Sequence, residues 1–128
     1  MDIFESRRNI NKKMQEKIIM EILVCIKQVP DDSVEISLDE ATGKPALDGV
    51  TPVVNAFDTY AEEMAVRLKE AVAESEVTVV SIGDDSVKNS LKNCLAVGAD
   101  HAYLVKCDEA EKLDGAAVAK VLAKAKAD

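Results

Sequence analysis

Three short apolar runs constrain this chain more than anything else in it: Glu21–Ile26 (EILVCI), Glu76–Ile82 (EVTVVSI) and His101–Val105 (HAYLV). Each has strand length, and segments with helical periodicity follow or separate them. Strands alternating with helices predict a parallel sheet joined by right-handed crossovers. A run that is apolar at nearly every position suits a parallel strand buried on both faces. The expected class is therefore α/β, in a single domain of 128 residues. With 3% aromatics and no Trp, its core must be aliphatic.

The first run breaks at Lys27-Gln28-Val29-Pro30, because Pro30 lacks the N–H a ladder needs. Residues 33–50 predict a hairpin-like excursion, with Val34, Ile36 and Leu38 alternating along a half-buried strand and Thr42-Gly43-Lys44 in the turn. Asn55 caps a helix over about Phe57–Ala73, and Asp58 answers it or meets the positive helix start. Phe57, Tyr60, Ala61, Met64, Leu68 and Val72 share one face of this helix, the expected core side. Asp84 or Asp85 caps a second helix, whose inner face holds Val87, Leu91, Cys94 and Leu95 and which Gly98 ends. A last helix, about Asp114–Lys126, buries Val118, Val121, Leu122 and Ala125. Three strands leave one sheet edge open.

Residues 1–19 differ in kind and read as a flexible basic extension. The remainder, residues 20–128, reads as the α/β domain. The whole chain carries a formal net charge of −8, which opposes nucleic acid and anionic lipid. No apolar run reaches the ~20 residues of a membrane helix. Three cysteines, Cys25, Cys94 and Cys107, form no CxxC pair, and His101 is the single histidine. A reduced, cytoplasmic setting without a metal site is the expectation.

Open α/β sheets bind ligands at the carboxyl ends of their strands, beside helix N-termini. Here those places are Cys25–Gln28, Asn55–Asp58 and Ser81–Asp85. They offer main-chain donors and acceptors suited to an adenine or ribose, and little for general acid–base work. No GxGxxG and no GxxxxGK[ST] occurs, so the usual phosphate loops are missing. Cys25 reads as a small buried residue rather than a reactive thiol, and Cys94 as core. Lys27 is open between a ligand contact and a solvated side chain. His101 reads as an edge residue, and Asp31-Asp32 as a turn.

Read as one string, EILVCIKQVPDD, TGKPALDGVTPVVNAFDTYAEEMAVRLKE, EVTVVSIG and LKNCLAVGADHAYLV closely resemble the amino-terminal half of the electron transfer flavoprotein β subunit. The shared marks are K-Q-V-P-D after the first strand, the N-x-F-D helix start, R-L-K-E at its end and A-x-G-A-D before the third strand. The resemblance runs over about 20–122. It implies an adenine nucleotide α-hydrolase-like, Rossmann-like three-layer fold, incomplete at its C-terminus. It also implies a structural AMP, or FAD in bifurcating members, in the β subunit. An α-subunit partner would carry the redox FAD, and flavin dehydrogenases such as acyl-CoA dehydrogenase would donate electrons. The implied nucleotide contacts are Cys25, Asn55, Ala56, Phe57, Asp58 and Ile82, with no catalytic residue and no metal. Ala56 stands where the family often has Pro, and Gly83-Asp84-Asp85 replaces a commoner Gly-Pro. The family's later Thr-Gly phosphate loop and dehydrogenase-docking segment have no counterpart here, so only the base-facing half of a pocket is expected. The competing reading is a free-standing nucleotide-binding module of the universal-stress type.

Overall fold

The computed structural model describes residues 20–128, so the reading of residues 1–19 as a separate basic extension lies outside the described residues. The elements are β1 (Met20–Cys25), β2 (Gln28–Pro30), β3 (Pro52–Val54), α1 (Ala56–Ala71), β4 (Ser75–Gly83), α2 (Val87–Val97), β5 (His101–Lys106) and α3 (Gly115–Ala127). A short 3-10 turn, Ala110–Lys112, precedes α3. The expected α/β class is present: β1, β4 and β5 form a parallel sheet in the order β1-β4-β5. β2 and β3 form a separate antiparallel pair in which Val29 faces Val53.

Register explains the core. Ile22 pairs with Val77, Val24 with Val79, and Val79 with Ala102, so these side chains share one face. α1 packs across β1 and β4, and α2 across β4 and β5, both on that face. Ala65, Val87, Leu91 and Cys94 fill the layer between helices and sheet. Val77 and Val79 are fully buried, which makes β4 the centre of the molecule. Gly83 lets α2 start close to the sheet, because a Cβ there would lie 2.5 Å from Val87 Cγ2. Gly98 ends α2 at φ +142°, a conformation L side chains rarely adopt.

Several sequence expectations are corrected. β1 is an edge strand and alternates between covered and exposed positions, so it is not buried on both faces. Residues 33–50 form a loop with one isolated bridge, Leu38 to Pro45, and Val34, Ile36 and Leu38 are exposed. That alternation has no sheet to lie against.

The buried side of α1 is Glu62, Ala65 and Val66, whereas Phe57, Tyr60, Met64 and Leu68 face outward. Small residues let the helix approach the sheet closely, and close approach selects the Ala65 side over the bulkier stripe. Leu95 of α2 is likewise exposed, although Val87, Leu91 and Cys94 are buried as expected. In α3, Val118, Val121, Leu122 and Ala125 are half-buried and none is fully covered. The last turn of α3 overhangs the second sheet face, beside Leu23, Thr78 and Tyr103.

Candidate functional site

The carboxyl ends of β1 and β4 and the start of α1 converge at one end of the sheet. Cys25 ends β1 and pairs in register with Val80 of β4. The Ile26 N–H donates to Val80 O at 2.9 Å, carrying the pairing one residue further. Ile82 lies two residues beyond Val80 and pairs with Val105.

Lys27 is then clamped by α1 through its main chain. Its N–H donates to Asp58 Oδ2 at 2.8 Å. Its carbonyl accepts the Asn55 N–H at 2.8 Å. Asn55 is the helix cap, as expected, its Oδ1 accepting the Phe57 N–H at 3.1 Å. Asp58 therefore reaches back to the strand end rather than only answering its own cap. Ala56 and Phe57 are exposed on the first turn of α1, open to whatever occupies this end.

A second tie was not foreseen. Gln28 Nε2 donates to Ser86 Oγ at 3.0 Å, and Ser90 Oγ donates to Gln28 Oε1 at 2.8 Å. Gln28 thus joins the β1 end to the first turns of α2. Its position directly after a strand and Lys27 was the available signal, but an isolated Gln names no partner.

The electrostatics disfavour nucleophilic chemistry. Cys25 is exposed rather than buried, which corrects the sequence reading. Partial desolvation, then the Asp58 charge, push its thiol up from the ordinary range. A thiol held protonated is a weak nucleophile. Burial, the Glu62 charge and a hydrogen bond to Glu62 push Cys94 up to about 12, as suits a core residue.

Asp84 accepts from the Ser86 hydroxyl and N–H, which hold its carboxyl below the ordinary range. Neither Asp84 nor Asp85 caps α2 with its side chain; Ser86 occupies that position. Asp85 is held low by hydrogen bonds to Lys88 and Lys106 and by their charges. Its ion pairs with both lysines measure 3.2 Å, so much of its charge is balanced locally. Asp31 forms a turn with Ser33, as expected, and His101 is an exposed edge residue 3.1 Å from Glu76. No cluster of three or more His, Cys, Asp or Glu suited to a metal occurs among the described residues.

This end presents main-chain groups, an exposed thiol at Cys25 and an exposed aromatic ring at Phe57. The profile of the electron transfer flavoprotein domain matches residues 46–128. The chain belongs to the electron transfer flavoprotein domain family. It is 44% identical to the electron transfer flavoprotein subunit beta of Megasphaera elsdenii over 86 residues, 67% of this chain and 32% of that protein. It is 42% identical to the corresponding subunit of Thermoanaerobacterium thermosaccharolyticum over 106 residues, 83% of this chain and 40% of that protein. A third relative, a caffeyl-CoA reductase–Etf complex subunit of Acetobacterium woodii, is 42% identical over 86 residues, 67% of this chain and 32% of its own length. The chain thus spans about a third to two-fifths of these electron transfer flavoprotein relatives. No described helix is long and apolar enough to cross a membrane.

Proposed function

We propose that this chain acts as electron transfer flavoprotein β-subunit sequence and contributes the base- and ribose-facing half of an adenine-nucleotide site. On this reading residues 20–128 are part of a nucleotide-binding domain, and residues 1–19 are a basic extension to it. The observation that carries the reading is the double clamp on the Lys27 main chain by Asn55 and Asp58. It fixes the β1 end against the α1 start, and on this reading Cys25, Asn55, Ala56, Phe57, Asp58 and Ile82 are the residues that contact the nucleotide. The ligand is AMP or the adenosine part of FAD, both of which present the same base and ribose.

On this reading the chain is an electron-carrier subunit without catalysis of its own. Electrons would travel through a flavin carried by an α-subunit partner, from flavin dehydrogenases such as acyl-CoA dehydrogenase, in the cytoplasm. Family membership and the relatives' names support this role. A universal-stress type module is disfavoured by the same membership.

Calorimetric titration with AMP and with FAD tests the reading. Binding of either with a Kd of about 0.1–1 mM, some −4 to −5.5 kcal/mol, is expected for contacts to base and ribose alone. Asn55→Ala should weaken it about tenfold by freeing the α1 start. Absence of binding by both nucleotides at millimolar concentration would contradict the proposal.

A further inference from the structure

The dipeptide Lys27-Gln28, just past β1, holds the starts of both neighbouring helices. Lys27 takes α1 through its main chain, by the bonds to Asp58 and Asn55. Gln28 takes α2 through its side chain, and the direction of each bond in that run is forced. Asp84 Oδ1 accepts the Ser86 N–H at 2.9 Å and also the Ser86 O–H. An ionised carboxylate only accepts, so the Ser86 proton is committed to Asp84. Ser86 Oγ therefore meets Gln28 with a lone pair and needs a donor, which Nε2 supplies at 3.0 Å. The other end of the amide is then Oε1, which accepts the Ser90 O–H at 2.8 Å. Ser90 is 3% exposed, so this end of the run is buried. Only a side chain with a donor and an acceptor in this order completes it, and an amide has both.

The loop held in this way is the one that follows Ile82. On its β5 side, Gly83 O accepts the Cys107 N–H at 2.8 Å and Asp85 pairs with Lys106 at 3.2 Å. On its β1 side, the side-chain tie is Gln28. We propose that Gln28 is a positioning residue for the adenosine site, setting where the Ile82–Gly83 main chain and the α2 start stand relative to the α1 start. It thereby sets the width of the opening that a base enters. The inference rests on the nucleotide reading given above. Both ends of the Gln28 amide are already engaged, so its effect reaches the ligand through the loop and not by contact.

Titration of the full chain with AMP at neutral pH tests this. Gln28→Glu puts an acceptor where Ser86 needs a donor, and should weaken AMP binding about tenfold. Adding Asp84→Asn supplies a donor from the other side and frees the Ser86 proton to turn towards position 28. That double variant should return to within about threefold of wild type. A side chain that merely fills space gives no such rescue. Adenosine, which has no phosphate charge, should show the same loss and the same recovery. Ser90→Ala, which changes no charge, should weaken both ligands about threefold. Gln28→Glu binding like wild type overturns the proposal, as does a double variant no tighter than the single one, or a loss seen with AMP and not with adenosine. If Gln28→Glu does not fold, Ser90→Ala decides, and undiminished binding by it overturns the proposal. A wild type that binds neither AMP nor FAD removes the nucleotide reading and this proposal with it, whereas a wild type that binds beside variants that bind equally well removes the proposal alone.

Discussion

Glu62 is the residue most at odds with its surroundings. It is 3% exposed on the buried side of α1, and its Oε1 has no hydrogen-bond partner. Burial raises its pKa first and the Glu63 charge adds to this, against a hydrogen bond with Cys94 that lowers it. A carboxyl raised on folding stabilises most below its unfolded pKa, and that contribution is lost as pH rises through the folded value. Stability should therefore fall from about pH 4.5 upward until Glu62 is ionised. Glu62→Leu should raise stability by about 1–2 kcal/mol at pH 7, since an unsatisfied buried polar atom is removed. Urea unfolding at pH 5 and pH 7.5 measures this, and a variant less stable than wild type at pH 7.5 would refute it. Gly98→Ala should do the opposite, costing about 1–3 kcal/mol. Its Cβ would meet Val66 Cγ1 and Cγ2 at 3.0 Å from a positive φ. The role of Gly98 was legible as a helix stop, and Asn55 as a cap, because both act within a few residues of chain. The burial of Glu62 was not legible, because it depends on which side of α1 the sheet receives.

Among the elements, α1 shows most clearly where local pattern stops being informative. Its apolar stripe is real, but the helix seats Ala65 and Val66 on the sheet and leaves the stripe outside. Its C-terminal end is fixed by polar contacts instead. Lys69 Nζ donates to Gly98 O at 2.7 Å and pairs with Asp100 at 3.1 Å. Asp100 Oδ2 also accepts the Val77 N–H at 2.8 Å, tying α1, β4 and the α2–β5 turn together. Burial opposes ionisation of Asp100, but the Val77 N–H and then Lys69 outweigh it and hold the carboxyl below its ordinary range. Stability from such a group is present above its unfolded pKa and disappears as pH falls through the folded one. Asp100→Ala should cost about 1–2 kcal/mol at pH 7, allowing for its partial exposure, and much less once the pH has fallen far enough to protonate the folded-state carboxyl. Thermal melts across that range decide it; an equal loss at both ends would contradict the assignment. The three strands of the parallel sheet were legible from apolar runs alone and the short β2–β3 pair was not, yet β1 proved an edge strand, since a continuous run does not say how many neighbours it has.

For the whole molecule, the alternation of strands and helices sufficed to give an α/β chain with a parallel sheet, and the sheet's carboxyl end was singled out by topology alone. What sequence could not supply was the coupling across that end. The Lys27–Asp58 and Gln28–Ser86 contacts join residues 31 and 58 positions apart. Reconstitution bears on the larger role: without an α subunit, the chain should pass no electrons from a flavin dehydrogenase to a dye, whether or not AMP is present. The most direct test of the central claim is a backbone-amide NMR titration of the full chain with AMP. The account predicts saturable shifts concentrated at Cys25–Gln28, Asn55–Asp58 and Ile82–Gly83, with β5's amino end unmoved. Shifts spread evenly over the surface, or centred on the face beneath α3, would contradict it.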